Sequence, residues 1–243
     1  MTYQSVFQRY EYKYILTKEQ AAFLKMAISS GMHIDEYGPT TIRNIYFDTD
    51  DFRLIRTSLD KPAYKEKLRL RSYRYAAKDD LIFAELKKKY KGIVFKRRTE
   101  TTYFEVMDWL LAFGDAPRDE QIMKEITCFR DHYKDLKPKA FLTYEREAYV
   151  AENDPSLRIT FDRNILARNR EISFSSGIYG EQILPWDQVL MEIKFAGAMP
   201  FRLVRLLSEN DLHRISFSKY GEYYKNHLKD ETDDDMKGAL LYA

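Results

Sequence analysis

The chain has 243 residues, 44% of them hydrophobic, with 40 Lys and Arg against 38 Asp and Glu for a formal net charge of +2. That length suits one large domain with a real core, and the near-neutral balance excludes general adhesion to nucleic acid or membrane through overall charge. One cysteine, Cys128, excludes an intramolecular disulfide and fits a reducing compartment, and no apolar run approaches the ~20 residues that span a bilayer.

The first residues, MTYQSVFQRYEYKY, lack the apolar core of a signal peptide, so a cytoplasmic location is expected. The four histidines show no metal-ligand spacing. Alternation predicts a strand over residues 7–15, with Arg9, Glu11 and Lys13 on one face and Tyr10, Tyr12 and Tyr14 on the other. Thr17-Lys18-Glu19-Gln20 is a capping-box pattern. It opens a helix to about Ser30 that presents Ala21, Leu24, Ala27 and Ile28, with Gly31 as its stop. A second strand follows over 41–48, where Ile45 and Phe47 alternate with Asn44 and Tyr46.

Residues 64–100 hold three neighbouring strands with rows of cations. In the first, Lys65, Lys67, Arg69 and Arg71 face away from Leu68 and Leu70. After a polar turn near 77–80, Phe83, Glu85, Lys87 and Lys89 oppose Ile82, Ala84 and Leu86. Beyond the Lys91-Gly92 turn, Val94, Lys96 and Arg98 oppose Ile93, Phe95 and Arg97. Helical spacing returns over 101–113, through Val106, Trp109 and Leu110, and over 117–133, with Pro117 near its first turn. Strands are predicted at 140–150, 157–166 and 190–196. In the second, Arg158, Thr160, Asp162 and Asn164 oppose Leu157, Ile159, Phe161 and Ile165; in the third, Glu192 and Lys194 oppose Met191, Ile193 and Phe195. Pro200 opens a helix to about Leu212, and Phe217-Ser218-Lys219-Tyr220-Gly221 leads into a Tyr-rich terminal helix. One domain over 1–228 and an acidic, frayed tail over 229–243 are expected.

Hairpins dominate and no βαβ rhythm is present, so the fold class is α+β with an antiparallel sheet. The charged rows have two readings. They form a solvated face, or they line the inside of an eight-stranded β-barrel whose apolar rows carry helices packed on the outside. Desolvated cations cost several kcal/mol each, so an inward lining needs water, countercharge or a bound polyanion. Glu11, Glu85, Asp162 and Glu192 lie in register as partial partners. Arg and Lys rows with such carboxylates suit phosphate, with Mg²⁺ or Mn²⁺ beside it. No Gly-rich phosphate loop is present.

Several segments together resemble the VTC-type polyphosphate polymerase domain, within the triphosphate tunnel metalloenzyme (CYTH-like) superfamily. They are Tyr10-Glu11-Tyr12-Lys13, Ile45-Tyr46-Phe47-Asp48-Thr49, Leu68-Arg69-Leu70-Arg71, Phe83-Ala84-Glu85-Leu86-Lys87, Phe95-Lys96-Arg97-Arg98, Tyr144-Glu145-Arg146, Leu157-Arg158-Ile159-Thr160-Phe161-Asp162, Met191-Glu192-Ile193-Lys194 and Phe217-Ser218-Lys219-Tyr220. The resemblance implies an eight-stranded tunnel and transfer of the γ-phosphate of ATP to a growing polyphosphate chain. It places Arg69, Arg71, Lys87, Lys96 and Arg158 as catalytic cations and Lys13, Arg146, Lys194 and Lys219 as substrate-binding ones. It makes Glu192 the ligand of a divalent metal, Mn²⁺ or Mg²⁺. Glu11 and Glu85 are either further ligands or ion-pair partners. Lys65, Lys67, Lys89 and Arg98 line the tunnel mouth or lie in solvent. The superfamily often opens with Glu-x-Glu-x-Lys, whereas this chain has Arg9-x-Glu11-x-Lys13. That difference favours transfer over hydrolysis of a triphosphate; a non-enzymatic sensor of polyphosphate or inositol phosphates is the third alternative. No nucleic-acid partner and no membrane span are expected, and the oligomeric state is open.

Overall fold

The computed structural model describes residues 9–91 and 93–229. In order the elements are β1 (Arg9–Thr17), α1 (Lys18–Ile28), β2 (Met32–Ile34), β3 (Thr40–Asp48), α2 (Arg53–Leu59), β4 (Tyr64–Ser72), β5 (Leu81–Tyr90) and β6 (Ile93–Thr102). They continue with α3 (Tyr103–Leu111), α4 (Gln121–His132), β7 (Lys137–Ala151), β8 (Arg158–Arg168), β9 (Glu181–Gln182), β10 (Gln188–Ala196), α5 (Phe201–Glu209) and α6 (Lys219–Tyr223). A π-helical turn, Tyr224–Leu228, continues α6. The class is α+β with an antiparallel sheet, as expected. Eight strands form its main path, β1-β10-β8-β7-β3-β4-β5-β6, with β2 paired to β7 and β9 to β8. Among the described residues β1 pairs with β10 and, through an isolated bridge at Lys13, with Ile215, and β6 pairs with β5.

The chain divides into two compact units. The first comprises Met1–Thr41, Tyr144–Ile165 and Leu184–Phe217; the second comprises Ile42–Thr143, Leu166–Ile183 and Ser218–Ala243. Each has its own core, built from the apolar phase of its strands. In the first, Leu16, Ile159, Phe161, Met191 and Ile193 pack with Ala21, Leu24 and Ile28 of α1 and Leu203 and Leu207 of α5. In the second, Ile45, Leu68, Leu70, Ile82, Ala84 and Leu86 pack with Val106, Trp109 and Leu110 of α3 and Met123, Ile126 and Phe129 of α4. Full burial of each such aliphatic side chain stabilises by roughly 1.5–3 kcal/mol, so this phase of the strands is fixed and the polar phase must face away from the helices.

Local chemistry sets the helix ends. Thr17 ends β1 and caps α1: its side chain accepts from the Gln20 amide, and the Gln20 side chain accepts from the Thr17 amide. Thr102 and Glu105 make the same reciprocal cap on α3. The sequence pattern missed α2, which hangs on a buried carboxylate outside the helix. Asp48 accepts from the backbone amides of Thr49 (2.9 Å), Leu54 (2.8 Å) and Ile55 (3.0 Å). Burial pushes the Asp48 pKa up, and those hydrogen bonds pull against the shift.

Other boundaries differ from expectation. The fourth helix starts at Gln121 rather than Pro117, and the short strands β2 and β9 carried no clear alternation. In β8 the phase slips at Asn164, whose φ is +51°; asparagine tolerates that conformation. Asn164 is therefore exposed and donates to Glu145 at 2.7 Å instead of continuing the row of Thr160 and Asp162. Phe7 and Gln8 of the expected first strand, and residues 230–243 of the expected tail, lie outside the described residues. No helix among the described residues is long and apolar enough to cross a membrane.

Candidate active site

In the second unit, strands β3 to β6 share one polar face. Register pairs Asn44 with Arg71 and Tyr46 with Arg69 across β3–β4. Across β4–β5 it pairs Lys67 with Lys87, Arg69 with Glu85 and Arg71 with Phe83. Across β5–β6 it pairs Lys87 with Lys96 and Glu85 with Arg98. The opposite phase, Leu68, Leu70 and Leu86, is completely buried in the core. The catalytic candidates Arg69, Arg71, Lys87 and Lys96 thus occupy adjacent positions on one surface.

Glu85, 1% exposed, is the hub of this face. Arg69 approaches one carboxylate oxygen through both Nε at 2.8 Å and Nη2 at 2.7 Å, a charge-assisted contact of two nitrogens on a single oxygen. Arg71 Nε lies 3.8 Å from the same oxygen. Lys96 Nζ stands 2.8 Å from the other oxygen and Arg98 Nε 3.6 Å from it. Burial alone would raise the Glu85 pKa; Arg69, Arg71 and Lys96 overcome it and hold the carboxyl well below the usual carboxylate range. Lys96 moves the other way for an ion-pair partner. Burial, supported by Arg71 and Arg69, outweighs the pull of Glu85 and lowers its pKa to about 8. Lys96 is 44% exposed, so solvent softens the effect, but the sign shows that its surroundings disfavour further positive charge. Glu85 is the countercharge of the four cations around it.

Uncharged groups, which carry no charge pattern in the sequence, hold the two arginines. Arg71 Nε donates to Asn44 Oδ1 at 3.0 Å, and Asn44, fully buried, donates to the Leu142 carbonyl at 3.2 Å. Arg69 Nη1 donates to the Tyr46 hydroxyl at 3.1 Å. Tyr46 stacks on Tyr220 at 4.9 Å, and the Tyr220 hydroxyl donates to Asp48 at 3.1 Å. Asn44, Tyr46 and Asp48 are alternate residues of β3; that spacing was the signal for their shared face. Lys219, at the start of α6, is buried, and Lys67 Nζ meets the neighbouring Ser218 hydroxyl at 3.3 Å.

The first unit carries a second charged cluster on β1, β10, β8 and β7. Register pairs Lys13 with Glu192, Glu11 with Lys194, and Lys194 with Arg158. Lys13 Nζ lies 3.2 Å from Glu192 and 3.3 Å from Glu11, and donates to the Phe217 carbonyl at 2.9 Å. Lys194 Nζ lies 3.0 Å from Glu192. Arg146 binds Asp162 through two hydrogen bonds, at 2.6 and 2.7 Å, and reaches Glu192 at 3.5 Å. Arg158 pairs with Asp35, a loop residue with no periodic signal in the sequence. Burial opposes the charges of Lys13 and Arg146. Glu192 and Glu11 around Lys13, and Asp162 first among the partners of Arg146, more than offset it and raise both pKa values.

Among the described residues no group of three or more His, Cys, Asp and Glu could hold a metal by itself. Mg²⁺ and Mn²⁺ sites commonly need only one or two carboxylates, completed by phosphate oxygens and water. Glu192 and Glu11 suit that donor set: both already converge on one cation, the Lys13 ammonium.

A family model described as the VTC domain matches residues 8–227. Among solved structures, a provisionally assigned adenylate cyclase from Bacillus halodurans is similar at a TM-score of 0.53 and 19% identity, over 88% of this chain and 94% of that one. Another from Vibrio parahaemolyticus reaches a TM-score of 0.46 and 14% identity, over 90% of this chain and 98% of that one. The first likeness concerns the fold. A search of curated proteins finds no match.

Proposed function

Since this chain belongs to the VTC domain family, within the triphosphate tunnel (CYTH-like) superfamily, we propose that it is a triphosphate-binding enzyme, and more finely a metal-dependent polyphosphate polymerase that uses ATP. The observation that carries the reading is the convergence of Arg69, Arg71, Lys96 and Arg98 on the buried Glu85 carboxylate. The depressed pKa of Lys96 supports it, because an anion there would relieve the charge crowding.

In this reading a terminal phosphate oxygen of the acceptor chain attacks the γ-phosphorus of ATP. A new P–O bond forms, the bond from the γ-phosphorus to the bridging oxygen breaks, and ADP leaves with the electron pair. The acceptor is already anionic near neutral pH, so no general base is required. Arg69 and Arg71 orient phosphate oxygens in two-toothed contacts, and Lys87 and Lys96 supply point charges as negative charge shifts in the transition state. Asn44 and Tyr46 keep the guanidinium planes fixed. Arg158 would serve as a further catalytic cation, and Lys13, Arg146, Lys194 and Lys219 would bind the phosphate chain. Glu192, with Glu11, would hold Mn²⁺ or Mg²⁺, which when bound neutralises phosphate charge. The proposal treats residues 1–228 as one functional domain at work in the cytoplasm.

Incubation with ATP and Mn²⁺ tests the reaction type by phosphate balance. The expected result is ADP with the γ-phosphate recovered in polymer. Recovery of all of it as orthophosphate, over a range of ATP and primer concentrations, would mean a hydrolase. Binding without turnover under any divalent metal would mean a sensor.

A further inference from the structure

An aromatic corner adjoins the cations of the second unit. Phe83 lies opposite Arg71 and two residues from Glu85. Tyr73 follows β4 directly, and its ring meets Phe83 edge-on with centroids 5.8 Å apart. Arg98, one of the four cations on Glu85, places its guanidinium 3.4 Å from the Phe83 ring centre and donates from Nη2 to the Tyr73 hydroxyl at 3.2 Å. Neither aromatic belongs to the hydrophobic core, and Tyr73 is 40% exposed. Burial in the core therefore does not account for two aromatic side chains and a stacked arginine at this spot.

We propose that Tyr73, Phe83 and Arg98 form a nucleobase subsite, so that this face binds nucleoside triphosphates with the base at the Tyr73 end. The terminal phosphates then point toward Lys87 and Lys96. This rests on the triphosphate reading above. Every base has a π-face, and aromatic rings and arginine planes stack on it with little regard to its edge. From Phe83 to Lys87 the strand rises about 13 Å, and the cations Arg71, Arg69 and Lys96 lie along that interval around Glu85, so the base meets aromatic groups and the phosphates meet cations in order. The consequence is selectivity: the same cations bind inorganic tripolyphosphate, but a nucleotide gains the stacking contact as well.

Equilibrium titration with ATP and with inorganic tripolyphosphate tests this on the wild-type chain and on Tyr73→Ala, Phe83→Leu and Tyr73→Phe. The first two should bind ATP about tenfold more weakly with tripolyphosphate affinity unchanged. Tyr73→Phe, which keeps the ring and drops the hydroxyl, should retain ATP affinity. Equal losses for both ligands would overturn the proposal by making the corner a structural support of the phosphate site. No loss for either would overturn it directly. A wild-type chain that binds neither ligand would instead refute the triphosphate reading, and the subsite with it. Unchanged tripolyphosphate affinity also certifies that each variant is folded.

Discussion

Lys96 is the residue at which charge and function are most tightly linked. Its ammonium stands beside one carboxylate and near two arginines, and its pKa falls to about 8. A bound polyanion would restore the ordinary lysine value near ~10.4 or exceed it. Between those two values the complex holds a proton that the free protein lacks. Tripolyphosphate binding at pH 9 should therefore take up protons, and affinity should fall as pH rises through 8. Lys96→Arg, charged across that range, should flatten the dependence. Calorimetry in two buffers of different ionisation enthalpy measures the uptake; identical heats in both at pH 9 would refute the linkage. At this scale the sequence was informative about charge and silent about its support. Period-two spacing set Arg69, Arg71, Glu85 and Lys96 on one face. Asn44 and Tyr46 were visible in the same alternation, yet nothing in an uncharged side chain announced that it would hold an arginine. Asp35, the partner of Arg158, sits on a loop, where no period exists to read.

Elements were legible where their signals are local. Thr17 with Gln20 marks the start of α1 within four residues. Thr102 with Glu105 caps α3 in the same way, through hydrogen bonds of 3.2 and 3.0 Å, a pair that the helical spacing over 101–113 did not single out. Thr102→Ala should remove that cap and cost about 1 kcal/mol of stability, measured by urea unfolding with an unchanged slope. An unaltered midpoint would show that packing of Trp109 and Val106 alone fixes the helix. By contrast α2 depends on the Asp48 carboxylate reaching forward to Leu54 and Ile55, a contact that no pattern of helix propensity encodes. Asn164 escaped for a related reason: alternation describes regular strands, and a left-handed residue breaks it without changing composition.

At the scale of the whole chain, the two units follow one rule. Apolar phases of their strands pack against helices, α1 and α5 in one and α3 and α4 in the other, and each polar phase is left to carry charge. Burial energy fixes which phase is which, and only then do the cations acquire a common face. That is why the sequence could place most of the site residues in register and offer Glu11, Glu85, Asp162 and Glu192 as their partners, while the uncharged and loop partners Asn44, Tyr46 and Asp35 stayed hidden. The central claim is that the face around Glu85 binds a triphosphate. A crystal structure of the chain with inorganic tripolyphosphate tests it most directly. The account predicts an ordered chain of phosphates hydrogen-bonded to Arg69, Arg71 and Lys96. Tripolyphosphate bound at other residues, with the ion pairs of Glu85 unchanged and no anion beside them, would contradict it.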